Sequence, residues 1–112
     1  MAASDKFIFG ENQPWTPMAP GLKRQIKGYD DNIMVVRVMF EYKGAIAAPH
    51  SHPHAQSSMI ASGKFIFKVG DEAHEVVAGD GIYMEPNVIH SCECIEPGVV
   101  VDTFSPMRED FL

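Results

Sequence analysis

Four of the five histidines fall where chemistry would need them: in the run His50-Ser51-His52-Pro53-His54-Ala55-Gln56, and at His90 further along the chain. Neutral imidazole is the commonest protein ligand for divalent transition metals. Residues two positions apart on an extended strand point to the same side, so His50, His52, His54 and Gln56 share a face if the strand runs unbroken. Pro49 and Pro53 argue for a kink or bulge inside it. Spacing therefore nominates several donors from one segment, joined by His90 from a distant strand. The competing reading is a histidine-rich surface turn that holds no metal.

A second group of chemically interesting residues lies near the C-terminus. Val100, Asp102 and Phe104 alternate with Val99, Val101 and Thr103, so one face of the last strand carries an acid and an aromatic. A carboxylate aimed into an apolar interior is costly unless it is hydrogen-bonded, paired or functional, which makes Asp102 the candidate general acid or base. The alternative places its carboxylate in water at a strand end. Phe104 offers a flat apolar wall, although an aromatic there also serves as plain core. Cys92 and Cys94 share the face of His90, and their Cα atoms on a strand would be about 7 Å apart, a poor disulfide geometry. They are read as free thiols, either small core residues or part of a cavity wall. His74 stands beside Asp71, Glu72 and Glu75 and is assigned to the solvated surface.

The elements that must position these residues are extended. Apolar and β-branched runs alternate with turn residues at short intervals, and no window of a dozen residues has clean helical periodicity. Leu22 to Tyr29 and Ile33 to Tyr42 form a hairpin around Asp30-Asp31-Asn32, and Lys64 to Val69 and Ala73 to Ala78 another around Gly70-Asp71-Glu72. Ile82 to Glu85, Ser91 to Ile95 and Val99 to Phe104 add further strands. Eight or more short strands in one small unit predict an all-β sandwich or barrel. Residues 1–21, with Pro14, Pro17 and Pro20, are read as an arm or edge strand packed on a domain spanning 22–112. Trp15 in that arm would cover one end of the barrel or pack against a second subunit.

Composition narrows the function. With 112 residues, 46% of them hydrophobic and 21% charged, the chain makes one ordinary globular domain. A net charge of −6, with Lys23-Arg24 as the longest basic run, disfavours nucleic acid. A small anionic substrate stays compatible, because a metal ion and one arginine can dominate the field in a pocket. No apolar run suits a signal peptide or a bilayer span, so a cytoplasmic protein with no membrane partner is expected.

The residues also spell two motifs. Gly44-x5-His50-x-His52-x3-Gln56-x6-Gly63 resembles the first cupin motif, with Gln56 in place of the usual Glu. Gly79-x5-Glu85-Pro86-Asn87-x2-His90-x3-Cys94 resembles the second, with Glu85, Asn87 and Cys94 at positions usually held by Pro, Gly and Asn. The resemblance implies a single cupin jelly-roll β-barrel, metal ligands His50, His52, Gln56 and His90, a pocket or supporting role for His54, and a homodimer. Replacing Glu by Gln keeps an oxygen donor and removes a negative charge. A divalent ion there retains its full charge as a Lewis acid towards an anionic or enolic oxygen.

A narrower likeness runs through Gly21-Leu22-Lys23-Arg24-Gln25-Ile26, the His-Ser-His-Pro-His-x-Gln run, Pro86-Asn87-x2-His90 and the tail from Asp102 to Leu112. These segments resemble the small cupins of pectin degradation, the KdgF group. That likeness implies conversion of 4,5-unsaturated uronate monosaccharides, released by pectate and alginate lyases, to linear 4-deoxy-5-keto uronates. It also implies that Asp102, Phe104 and Arg108 line the substrate pocket. Asp102 would move protons, and the planar guanidinium of Arg108 would hold the uronate carboxylate. Against this, Arg108-Glu109-Asp110 also reads as a solvated tail. Zinc, nickel, manganese and iron are all candidate ions. The rival functions are an iron-dependent cupin oxygenase and a non-enzymatic binder of metal or sugar acid.

Overall fold

The computed structural model describes residues 2–112. In chain order its elements are β1 (Thr16–Ala19), β2 (Leu22–Asp30), β3 (Ile33–Phe40), β4 (Ile46–His50), β5 (Ala55–Ile60), β6 (Lys64–Val69), β7 (Glu72–Val77), β8 (Gly81–Met84), β9 (His90–Glu96) and β10 (Gly98–Ser105), followed by a 3-10 turn at Glu109–Phe111. β3 illustrates why these segments extend. Its β-branched and apolar residues bury Met34, Val36, Val38 and Phe40 on one face and leave Ile33, Val35, Arg37 and Met39 more open, the two-residue period of a strand packed on one side.

Two antiparallel sheets result, one ordered β1-β2-β3-β10-β5-β8 and the other β4-β9-β6-β7. Their inner faces make one core. Leu22, Met34, Val36, Val38, Phe40 and Val100 of the larger sheet cluster with Phe65, Phe67, Cys92 and Cys94 of the smaller. Phe40 meets Phe65 edge to face at 4.9 Å between centroids, one of the favoured aromatic geometries. This is the all-β jelly roll predicted from the strand pattern and motifs, built as two facing sheets. No helix among the described residues is long and apolar enough to cross a membrane.

Both predicted hairpins are present with shorter turns than expected. Asp30 belongs to β2 and Glu72 to β7, and the first turn is pinned by the Asn32 N–H donating to Asp30 Oδ1 at 2.8 Å. The proline-rich segment places β1 at the edge of the larger sheet, where Thr16 pairs with Arg24. Its attachment is polar as well as apolar: the Gln25 side-chain amide donates to the Gln13 carbonyl, and the Gln13 amide donates to that of Ile26, both at 3.0 Å. Lys23 and Arg37 lie over the Trp15 ring at 5.0 and 5.1 Å, so Trp15 is held by cations on β2 and β3.

The β5–β6 turn presses on the start of β10. A Cβ on Gly98 would collide with the backbone of Ser62, and one on Gly63, where φ is +86°, would lie 2.7 Å from the Glu96 carbonyl oxygen. Glycine at both positions is a condition of that crossing.

Candidate metal centre and its cavity

The histidine run does not form one strand. β4 ends at His50 in the smaller sheet, β5 begins at Ala55 in the larger, and residues 51–54 cross between them. The two prolines account for the break. Cross-strand pairing then assembles the site. His50 lies opposite His90 across β4 and β9, after an irregularity in the register between Ala47 and His50. Gln56 lies opposite Phe104, and Ser58 opposite Asp102, across β5 and β10. His52, on the crossing loop, is tied down by the Asn87 N–H, which donates to its carbonyl at 2.8 Å. Asn87 has φ +67°, the left-handed conformation that Asn tolerates better than most residues. That explains how it stands where the motif usually has Gly.

His50, His52 and His90 each offer a ligand atom, and these atoms all lie within 4.8 Å of one another, a group that can hold a metal ion. The Nδ1 atoms of all three rings face backbone carbonyls: His50 that of Ala48 at 2.7 Å, His52 that of His54 at 3.0 Å, and His90 that of Val88 at 3.0 Å. A carbonyl can only accept, so Nδ1 carries the proton and Nε2 keeps its lone pair, the usual arrangement of a metal-binding histidine. His90 Nε2 is buried with no hydrogen-bond partner. His52 Nε2 faces Gln56 Oε1 at 3.0 Å, which sets two acceptors against each other with no proton to share. A cation between these atoms resolves both problems, so the residues fit a metal. Burial further favours neutral rings. It lowers the pKa of His52, and with the nearby charges of His50, His52 and Arg108 it takes His90 down to about 4.

Beside this cluster, the Gln56 amide nitrogen donates to Ser58 Oγ at 3.1 Å and the Ser58 hydroxyl donates to Asp102 Oδ1 at 2.6 Å. Asp102 is only partly covered, yet burial dominates its carboxyl and pushes its pKa up to about 6, opposed by hydrogen bonds from Ser58 and Gln56 and by the charge of Arg108. It therefore lies closer to neutrality than an ordinary carboxylate, as proton transfer at neutral pH requires. His50, Gln56, His90, Asp102, Phe104 and Arg108 line a single cavity.

Arg108 is no solvated tail residue. Its side chain is 14% exposed, and its guanidinium lies over Phe104 at 5.1 Å and Phe111 at 4.3 Å. Asp110 grips it in a two-point pair, Nε to Oδ1 at 3.0 Å and Nη2 to Oδ2 at 2.8 Å, which holds the Asp110 carboxyl below its usual pKa. The end-on edge of the guanidinium, with its Nη1 hydrogens, stays free for a second carboxylate. Arg24 lies 4.1 Å over Phe111, so two cations converge on that ring.

His54 lies beside the cluster rather than in the cavity. Its ring packs 5.4 Å from that of His52 and lines an outer depression with Asp31, Met107 and Asp110, away from the cavity. It supports the site through its carbonyl, which holds His52 Nδ1, and because residue 54 belongs to the crossing loop rather than to β5, its ring does not follow Gln56 into the cavity. Cys92 and Cys94 are free and buried, Cys92 on the cavity wall and Cys94 in the core, with burial raising both thiol pKa values. His74 is exposed and pairs with Glu72. Sequence reasoning missed Ser58, Asp110, Arg24 and Phe111. Ser58 shares the strand face of Gln56 and was within reach of the alternation argument; the other three needed the path of the tail.

Comparison with known proteins agrees with this geometry. The Cupin domain family matches residues 36–104. The pectin degradation protein KdgF of Dickeya dadantii is 37% identical over 109 residues, covering 96% of this chain and 98% of that protein. Among solved structures, an RmlC-like cupin from Shewanella frigidimarina superposes with a TM-score of 0.95 at 38% identity over the whole of both chains. KdgF from Halomonas sp. does so with a TM-score of 0.91 at 30% identity, covering 97% of this chain and all of that one. The chain belongs to the cupin family, as a KdgF-like member.

Proposed function

We propose that this protein is a metal-dependent enzyme of pectin or alginate breakdown that converts 4,5-unsaturated uronate monosaccharides to linear 4-deoxy-5-keto uronates. The observation that carries this reading is the convergence of Asp102, Phe104 and Arg108 on the cavity that also holds the histidine cluster, in a chain similar along its length to a pectin degradation protein.

His50, His52, His90 and Gln56 would hold one divalent ion, for which zinc, nickel, manganese and iron are all chemically suited. Such an ion supplies Lewis-acid stabilisation of negative charge developing on a substrate oxygen. The free edge of Arg108 takes the uronate carboxylate, and Phe104 gives the sugar ring an apolar wall. Asp102 accepts the proton of the anomeric hydroxyl. The bond from C1 to the ring oxygen then breaks, the oxygen keeps the electron pair, and C1 becomes an aldehyde while C5 carries an enolate oxygen. The enolate becomes the ketone as C4 gains a proton. One proton leaves an oxygen and one arrives at a carbon, so no oxidant is needed.

We also propose a homodimer acting in the cytoplasm. The stacked rings of Phe7 and Phe9, 75% and 76% exposed, and the open edge at β1 support the first, and the two free thiols suit a reducing compartment.

The test is incubation with each unsaturated monouronate, following the absorbance of the conjugated double bond, with and without chelator, in air and under nitrogen. Chelator-sensitive loss at the same rate in both atmospheres is expected. No loss with either uronate overturns the reading, and oxygen uptake would assign the site to an iron oxygenase.

A further inference from the structure

We propose that Ser58 is a positioning residue that fixes which end of the Gln56 amide faces the histidine cluster and ties that amide to Asp102. The inference rests on the ligand and acid roles proposed above.

Ser58 is 2% exposed and lies between the two groups, accepting from Gln56 Nε2 at 3.1 Å and donating to Asp102 Oδ1 at 2.6 Å. A hydroxyl has a single proton and two lone pairs. The short contact commits that proton to the carboxylate, which leaves Ser58 only lone pairs for Gln56. An amide has a donating end and an accepting end of nearly equal shape, so its own packing does not choose between them. Ser58 chooses, because only the N–H end can meet a lone pair. The oxygen is thereby turned towards His52 Nε2, where it stands at 3.0 Å. Reversed, the amide would present an NH2 group to the cluster, and an amide NH2 does not ligate a metal.

This gives a second reason for Gln at a position where the motif usually has Glu. A carboxylate at 56 has nothing to donate, and the one Ser58 proton would face two anionic groups. In this chain the side chain at 56 must be an acceptor at one end and a donor at the other. Ser58 is opposite Asp102 in the β5–β10 ladder, so the connection is set by strand register rather than by loop conformation.

The test compares wild type, Ser58→Ala and Ser58→Thr, each with its fold verified by thermal melting. The first readout is zinc affinity by competition with a chelator. Ser58→Ala is expected to weaken zinc roughly 10–100-fold, the usual cost of removing a partner that orients a ligand, and Ser58→Thr, which keeps the hydroxyl, to stay within about threefold of wild type. The second is the NMR signal of the Gln56 side-chain amide in zinc-loaded protein, identified by its absence in Gln56→Glu. Slow hydrogen exchange is expected in wild type and Ser58→Thr, and fast exchange in Ser58→Ala.

Unchanged zinc affinity in Ser58→Ala, a threonine variant as weak as the alanine variant, or a fast-exchanging Gln56 amide in wild type would each overturn the proposal. Neither readout involves a uronate. If wild type turns over no uronate while Ser58→Ala loses zinc affinity, the uronate reading alone fails; if wild type is active and Ser58→Ala keeps its zinc and its amide signal, the Ser58 assignment alone fails.

Discussion

At the scale of single residues, the site depends on hydrogen bonds that hold some atoms of each group and leave others free to act. Asp102 takes the Ser58 proton on one oxygen, and its partly buried carboxyl has a pKa raised to about 6. Asp102→Asn keeps the shape and an acceptor for Ser58 but cannot take up a proton. Metal content by elemental analysis should be unchanged, while turnover falls about 10²–10⁴-fold, the usual worth of a general acid or base; an unchanged rate would remove Asp102 from its role. Asp110 holds two of the five Arg108 donors. Asp110→Asn leaves the guanidinium free to swing over Phe104 and Phe111, so KM should rise roughly tenfold with kcat little affected, the loss of about one charge-assisted hydrogen bond. Saturation kinetics would separate the two parameters. These dependencies also show where sequence reading stops. Asp102 and the histidines stand out by type and spacing, whereas Ser58 and Asp110 are ordinary polar residues whose importance comes from the group placed opposite them.

At the scale of elements, alternation in β3 and β10 and the turn residues around 31 and 70 were readable in the sequence because each is local chemistry. Pro49 and Pro53 announced a break, yet only the fold reveals that residues 51–54 change sheets there, so that His50 and Gln56 sit on different layers. The register that faces Gln56 with Phe104 and Ser58 with Asp102 pairs residues far apart in the chain, and no local pattern encodes it. The same limit hid Gly98, which is a backbone crossing that no local pattern signals. Gly98→Ala drives a Cβ into the Ser62 backbone, where no side chain can yield. The variant should lose at least about 2 kcal/mol of stability, or roughly 8 °C in Tm for a domain of this size, measured by calorimetry; a shift within error would mean the crossing relaxes freely.

At the scale of the whole molecule, the net charge of −6 works against an anionic ligand, and Arg24 and Arg108 around Phe111 provide a local reversal of sign where one is needed. The proposed ligands come from the smaller sheet, from the crossing loop and from the larger sheet, so a bound ion would fasten the two layers together. At free metal about 100 times Kd the folded state gains about 2.7 kcal/mol, worth roughly 11 °C in Tm. Chelation should remove that increment without altering the strand content seen by circular dichroism; equal melting temperatures with and without metal would show that the layers do not rely on it. The division of the centre between layers has one more consequence. Neither sheet alone carries the complete set of donors, so the four can meet around one ion only after the two layers have packed together. Full ligation is in effect an inspection that only the finished molecule can pass.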